Sequence, residues 1–566
     1  MTTQTRKTMQ AADALLTGLK QLGVDYIFGN TGTDYPPILG SLGRFQQAGE
    51  IGTSVPQTMT VPHENVAVHM AYGAYLATGK PQVVMVHTNV GTANAMNGII
   101  NANRAQIPLI LIAGRAPVTE AYDHTSKPGF IHWAQEMFDQ GAMVRENVKW
   151  DYHISSDNVV EIDLILQRAY SMATAYPPGP VYLTFVPEAM EREVSIPETL
   201  STPPSVSKPQ PDPAQVTQIA EWLSTAERPL LINGGTTRDE TIVPALVSLC
   251  EQLSLPVASL NPRTLPFPLQ HPLYLGRNPH KAVSEADFII SLENDVPYMP
   301  IHGRPLPDTR VVHIGPDPLY QRYPRRGPRA DAYVCSDSAL FLAALQAVSA
   351  VPAKSLAQHR TAWANALREA SAETRRARVE RARQSGQINV EWVSKCVADV
   401  LDESTVVFRE FDFNEDHLDI SQPHHFFGLT NAGGLGWGMG TALGYRLAQP
   451  NKIVLTATGD GCYYFNAPTA AHSVSQAHNL PALTIVFNNA KWGTVEMHTN
   501  RWYPDLEEPN IPLTGLGPHA HFHKMVEVFG GYGEQVEQAA DLPAALARAI
   551  DQVKNQGRQA LVNVIC

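Results

Sequence analysis

Cysteine is scarce in this 566-residue chain: there are five, Cys250, Cys335, Cys396, Cys462 and Cys566, with no CxxC spacing among them. That excludes a disulfide framework, argues against a structural zinc site and fits a reducing compartment, so a cytoplasmic protein is expected. Positive charge is also short. Forty-two Lys plus Arg against 54 Asp plus Glu leave a net charge of −12, the wrong sign for general affinity to phosphate backbones, and no nucleic acid partner is expected. No apolar run is long enough to span a bilayer. The opening MTTQTRKTMQAADALLTGLKQLG carries charge within its apolar stretch and reads as an amphipathic helix rather than a signal peptide, so no membrane association is expected. Low complexity and short-period repeats are missing too. With 44% apolar and 17% charged residues the composition is that of ordinary folded domains.

What is present is length and a repeated pattern. The chain is too long for one hydrophobic core, and short apolar runs bounded by turn residues alternate with helical stretches throughout, which predicts α/β domains with parallel sheets flanked by helices. PQVVMVHT and IPLILIAG read as strands joined by the Asn- and Ala-rich helix NVGTANAMNGIINANRA. PETLSTPPSVSKPQPDPAQ is rich in Pro and Ser and reads as a linker, placing a boundary near residues 193 to 213. PLLINGG, ADFIISL and RVVHIG then predict a smaller α/β unit, and LREASAETRRARVERARQSGQ a solvated helix leading into a third block. In that block VVFREF, KIVLTATGDG and ALTIVFNN are strands. The first and third blocks read as distant structural copies.

Gly459, Asp460 and Gly461 end one strand, and Asn489 ends the next in an adjacent pair of asparagines. Ligands of open parallel sheets bind beyond the carboxyl ends of strands, so both lie where a ligand would sit. The glycines permit tight turns, and the carboxylate and amide oxygens are hard donors suited to Mg²⁺, which can bridge to a diphosphate. Alone, either short motif is an ordinary turn; together, with a helix between, they are specific.

In these motifs the chain resembles the thiamine diphosphate enzymes of the acetolactate synthase, pyruvate oxidase and benzoylformate decarboxylase superfamily. FGNTGTDYPPIL, VPHENVAVHMAYGAYLATGKPQVVMVHTNVGTANAMNGI and AGGLGWGMGTALG stand in the order of similar segments in benzoylformate decarboxylase, so the resemblance covers nearly the whole chain. It implies an N-terminal pyrimidine-binding domain (1–192), a middle domain (205–350) and a C-terminal diphosphate-binding domain (385–566). It implies thiamine diphosphate and Mg²⁺ as cofactors, with the metal held by Asp460, Asn489 and the backbone carbonyl of Lys491. Glu64 would push the aminopyrimidine toward its imino form, Gly433 and Gly434 would let the backbone approach that ring, and Leu435 would enforce the cofactor's bend. Thr33 aligns with a residue that contacts the substrate carboxylate; His87, 23 residues after Glu64, and His302 align with catalytic histidines. Where relatives have hydroxyls on the diphosphate, this chain has EFDFNED (410–416), a departure. The middle domain offers the glycine turn NGGTTRD but no GxGxxG, so FAD or ADP there has little support.

The resemblance implies a lyase or transferase acting on a 2-oxo acid or aldehyde. A decarboxylase or carboligase of benzoylformate decarboxylase type leads, with an acetolactate synthase-like carboligase and a 2-hydroxyacyl lyase as alternatives. A flavin-dependent oxidase on the same scaffold, or a non-enzymatic module that only holds the cofactor, belongs to different classes. Because the family builds each site from two subunits, a homodimer is the expected minimal unit and a homotetramer the expected assembly.

Overall fold

The structure, a computed structural model, describes residues 5–120, 126–201, 203–235, 241–411, 413–506 and 511–566. It contains three parallel sheets flanked by helices, so the protein is an assembly of three α/β domains. The chain divides into two compact units, one of residues 1–206, 434–450 and 464–480, the other of residues 207–433, 451–463 and 481–566.

The first unit is built on six parallel strands, Tyr26–Asn30, Gln57–Thr60, Gln82–Val86, Leu109–Gly114, Asp151–Ile154 and Val181–Phe185. Numbered in chain order they lie 2-1-3-4-6-5 across the sheet. The central strands are buried at every position and mostly apolar because helices cover both their faces. The opening segment is not one helix. Arg6–Gln10 pairs antiparallel with Glu193–Pro197, and the helix begins only at Ala11, where the buried Ala and Leu positions start.

Helix Glu64–Thr78 has almost no polar face, is buried from Glu64 through Leu76, and stops at Gly79, whose φ of 70° is the left-handed cap that glycine accepts readily. It packs backbone to backbone on helix Gly438–Ala448. A Cβ at Gly73 would stand 1.9 Å from the Thr441 carbonyl oxygen, and one at Gly444 would stand 2.0 Å from that of Met70. Glycine here is a condition of contact.

The second unit holds two sheets. Strands Pro229–Asn233, Val257–Ala258, Phe288–Leu292, Arg310–Gly315 and Ala332–Cys335 lie in the order 2-1-3-4-5. The other sheet comprises Thr405–Arg409, Phe426–Gly428, Ile453–Gly459, Leu483–Asn488, Tyr532–Val536 and Ala560–Ile565, again in the order 2-1-3-4-6-5. The Pro-rich segment before this unit ends at Asp212, whose side chain caps helix Pro213–Thr225 through the amide of Ala214. Helix Lys354–Ser385 links the two sheets in sequence. Among the described residues no helix is long and apolar enough to cross a membrane.

Candidate active site

In the first unit the strand order reverses between Tyr26–Asn30 and Gln82–Val86, which opens a crevice at their carboxyl ends. Glu64 begins the helix after the second strand and is buried, 6% exposed. Both its carboxylate oxygens are held: Asn30 Nδ2 donates to Oε1 at 2.9 Å and Asn94 Nδ2 to Oε2 at 3.2 Å. Neither donor carries charge, so neutral amides alone fix the carboxyl group in place.

His87 follows the strand Gln82–Val86 and precedes helix Thr88–Arg104. Its Nδ1 donates to Asp34 Oδ1 at 2.5 Å, and Asp34, fully buried, also accepts from the Thr88 amide at 3.2 Å. The hydrogen bond to Asp34 raises the His87 pKa above its ordinary value; partial burial opposes the rise, while Gln135 and Glu64 add to it. Gly32 carries no side chain for a steric reason, since a Cβ there would meet His87 Nδ1 at 2.2 Å. Thr33, on the same loop, is hydrogen-bonded through Oγ1 to Nε2 of the buried His132 at 2.9 Å.

Helix Thr88–Arg104 explains its unusual asparagine content. Asn94, Asn97 and Asn101 lie at i, i+3 and i+7, on one helical face. Asn94 holds Glu64, Asn97 donates to the Leu435 carbonyl at 2.7 Å, and Asn101 donates to the Gly434 carbonyl at 2.7 Å while accepting from its amide at 3.2 Å. A Cβ at Gly434 would stand 2.5 Å from Asn97 Oδ1. One helix face therefore orders both the buried carboxylate and the glycine-rich segment. Asp34, Asn30, Asn94, Asn97 and Asn101 were not anticipated from the sequence. The signal was available, because Asn is a poor helix former and three at this spacing need a reason.

In the second unit Asp460 follows strand Ile453–Gly459, begins helix Asp460–Phe465 and is 4% exposed. Its Oδ1 accepts from the Gly461 amide at 2.7 Å and its Oδ2 from the Ala490 amide at 2.6 Å, which clamps the loop of Asn489 and Lys491 beside it. Burial raises its pKa, against the lowering effect of these backbone N–H groups. Asn489 Oδ1 accepts from the Lys491 amide at 3.1 Å. The two adjacent asparagines have separate roles: Asn488 is buried and donates to the Ala520 carbonyl and to Asn563 Oδ1, tying its strand to the rest of the sheet. Gly461 makes room for Trp492, whose ring a Cβ would meet at 2.2 Å. Gly459 lies within its strand, and Gly433 has a φ of 64°. Among the described residues there is no cluster of three His, Cys, Asp or Glu that could hold a metal. The donors at Asp460 are instead one carboxylate, one amide and backbone carbonyls, all hard oxygens, and each carboxylate oxygen keeps a second lone pair; this set suits Mg²⁺.

EFDFNED puts Glu410 directly after the strand beside that of Asp460. The Glu410 amide donates to the Ala457 carbonyl, and its Oε2 accepts from Thr458 Oγ1 at 2.9 Å. A carboxylate thus occupies the place expected for hydroxyls; Asp412 lies outside the described residues. His302 stands on an exposed loop with its ring 5.1 Å from that of His280. It lines a cavity of 1460 Å³ together with Glu410, Thr430 and Gly433. The turn of NGGTTRD is tightly packed: a Cβ at Gly234 would meet the Glu293 carbonyl at 2.4 Å and one at Gly235 would meet Thr264 Oγ1 at 2.5 Å. Residues 236–239 of that motif lie outside the described residues.

Paired crevices with a fixed carboxylate in one and an oxygen donor set in the other are the equipment of a cofactor-dependent α/β enzyme. The thiamine pyrophosphate enzyme N-terminal TPP binding domain matches residues 9–143, the central domain 216–345 and the C-terminal TPP binding domain 413–564. The chain belongs to the thiamine diphosphate-dependent enzymes of the acetolactate synthase and benzoylformate decarboxylase group. It is 26% identical to the benzoylformate decarboxylase of Pseudomonas aeruginosa, covering 94% of this chain and 95% of that one. To the acetolactate synthase large subunit of Haemophilus influenzae it is 23% identical, covering 97% and 93%. The crystal structure of benzoylformate decarboxylase from Polynucleobacter necessarius superposes with a TM-score of 0.78 at 20% identity, over 98% of this chain and 99% of that one.

Proposed function

We propose that the protein is a thiamine diphosphate- and Mg²⁺-dependent 2-oxo acid decarboxylase or carboligase of benzoylformate decarboxylase type. It works in the cytoplasm as a homodimer at least, and as a homotetramer in full assembly. The observation that carries the reading is Glu64: a buried carboxylate, fixed through both oxygens by neutral amides, beside a histidine paired with a buried aspartate. A purely structural acid would be expected to meet a cation or face water.

Asp460, Asn489 and the Lys491 carbonyl would hold the metal and through it the diphosphate, while Glu64, Gly433, Gly434 and Leu435 would hold the pyrimidine end. Thiamine diphosphate, when bound, supplies a carbon nucleophile for the substrate carbonyl and a sink for the electron pair released beside it. This chain's own residues supply the rest. Glu64 would accept a hydrogen bond from the pyrimidine ring and so favour loss of the activating proton. His87, its pKa raised by the hydrogen bond to Asp34, would be the group that carries a proton to the carbon left behind. Thr33 and His302 position the substrate.

The test is a panel of aliphatic and aromatic 2-oxo acids, with and without aldehyde acceptors, assayed for carbon dioxide and coupled products with both cofactors present. Carbon dioxide with release of an aldehyde supports decarboxylation; coupled products identify a carboligase, the second reading, which the relatives named acetolactate synthase favour. Absence of both from every substrate would refute the proposal.

A further inference from the structure

The 1460 Å³ cavity of the second unit exceeds the roughly 300–1,000 Å³ that holds a drug-sized ligand. Its lining runs from Asn261 and Thr430 through His302 to one face of helix Lys354–Ser385, where Thr374, Arg375, Arg378 and Arg381 follow one another at helical spacing. Six Lys and Arg side chains and three carboxylates line it, in a chain whose net charge is −12.

Four of the six cations are already engaged. Arg277 and Arg409 meet Glu415, Arg375 meets Asp416, and Arg378 meets Glu391. Lys281 and Arg381 are exposed, and neither has a hydrogen-bond or ion-pair partner among the described residues. Two buried oxygens in the lining are also without a partner: Asp416 Oδ1, in a residue 7% exposed, and Thr430 Oγ1, in one 1% exposed. Both atoms are closed to solvent behind the lining, so the open cations are the groups a ligand in the cavity can reach. Position gives the site its meaning. Glu410 and Thr430 follow the first two strands of the sheet whose third strand is followed by Asp460, and the strand order reverses between the first and third.

We propose that this cavity receives the part of the substrate remote from its reacting carbonyl, and that this part carries a second anionic group, a carboxylate, sulfonate or phosphate, held by Lys281 and Arg381. The inference rests on the decarboxylase or carboligase reading for its chemistry, but not for its binding. It separates this enzyme from one selective for a neutral 2-oxo acid side chain.

The experiment compares pairs of 2-oxo acids that differ in a terminal charge, 2-oxopentanoate with 2-oxoglutarate and benzoylformate with 4-carboxybenzoylformate, on the cofactor-loaded enzyme. The charged member of at least one pair is expected to be favoured in kcat/KM by about tenfold or more, the scale of one charge-assisted hydrogen bond. In the Lys281→Gln/Arg381→Gln double variant that ratio should fall toward one through KM. Arg383→Gln, on the same helix but outside the cavity lining, should keep it. Calorimetric titration with glutarate and with inorganic phosphate provides a readout independent of turnover, and the double variant should bind at least one of them about tenfold more weakly. Equal kcat/KM within both pairs, or a preference unchanged in the double variant, would overturn the proposal. If no 2-oxo acid is turned over, the catalytic reading fails; anion binding lost in the double variant would then still support the site, and anion binding absent or unaltered would remove it.

Discussion

Replacing Asp34 with Asn tests the histidine arrangement with the least disturbance of shape. The side chain is fully buried and tightly seated, since a Cβ on Gly114 would stand 1.9 Å from its Oδ2, so an isosteric change is the only one the site accommodates easily. Asn can still accept from the Thr88 amide but cannot offer a charged partner at 2.5 Å to His87 Nδ1. A hydrogen bond to a charged group contributes about 1.5–3 kcal/mol, or about one to two pKa units. The groups facing His87 are Asp34, Gln135 and Glu64; with Asp34 neutralised, the burial that opposes the rise gains weight and the His87 pKa should drop. The sign for stability follows. His87 has a raised folded-state pKa, so the pair's contribution is fully present below about 6.5, the unfolded value, and is lost as pH rises through the folded value. Asp34→Asn should therefore cost most stability near pH 6 and progressively less toward pH 9. Histidine NMR titration, with His87→Gln to assign the signal, reads the pKa, and melting curves across pH read the linkage. An unchanged His87 titration in a folded Asp34→Asn protein would refute the pairing.

If Glu64 governs activation as proposed, His87→Ala should leave cofactor affinity and C2 deuterium exchange largely intact while slowing turnover by about 10²–10⁴-fold; a destabilised variant with normal turnover would remove it from the mechanism. Asp460→Ala should abolish recovery of activity when Mg²⁺ and thiamine diphosphate are returned to stripped protein, and tight calorimetric binding by that variant would count against the metal site. Glu64→Ala and Asp460→Ala proteins, each inactive, should regain some activity on subunit exchange if each site draws on two chains; proven exchange without recovery would disprove sharing. Gly444→Ala should lower the melting temperature: the gain of about 1 kcal/mol in helix propensity is outweighed by an overpacking cost of roughly 1–3 kcal/mol or more where a Cβ meets the Met70 carbonyl at 2.0 Å, and an unchanged or raised melting temperature would show that the helices can separate cheaply.

The central strands were legible because each is a run of buried apolar residues between turn signals, and Gln82–Val86, Leu109–Gly114, Ile453–Gly459 and Leu483–Asn488 fall on the segments expected. Gln57–Thr60 was not legible. Its sequence QTMT buries only one side chain, and it becomes a strand by pairing with Tyr26–Gly29 at the sheet edge, a tertiary cause with no local mark. The same distinction divides the site. Glu64, His87 and Asp460 could be named because motifs carry them, whereas Asp34 and Asn94 act only through what the fold sets against them, His87 and Glu64. The charged helix is half of each kind: its polarity was readable, but the face that lines a cavity instead of meeting water depends on packing.

Two sheets with the same strand order give a physical reason for the glycines that the motifs alone leave unexplained. In each sheet the helix after the second strand, Glu64–Thr78 in one and Gly438–Ala448 in the other, starts beside a crevice where the order reverses. These two equivalent helices pack against each other through Gly73, Gly440 and Gly444, so the segment that begins one carries Glu64 and the segment that leads into the other carries Gly434 and Leu435. The third strands correspond in the same way, one followed by His87 and the other by Asp460. One topology used twice thus sets His87 and Asp460 at equivalent positions, where the proposed function would use one to handle a proton and the other to hold a metal. Within the first unit the helix contact ties the helix of Glu64 to the segment of Gly434 and Leu435. A Cβ at Gly440 would stand 2.8 Å from His69 Cβ, and Asn101 bridges from His69 to Gly434. Gly440→Ala should consequently shift more than stability: thiamine diphosphate affinity should weaken with it, because the displaced His69 carries Asn101 and the Gly434 segment along. A variant that loses melting temperature but keeps wild-type cofactor affinity would show that the contact is structural alone.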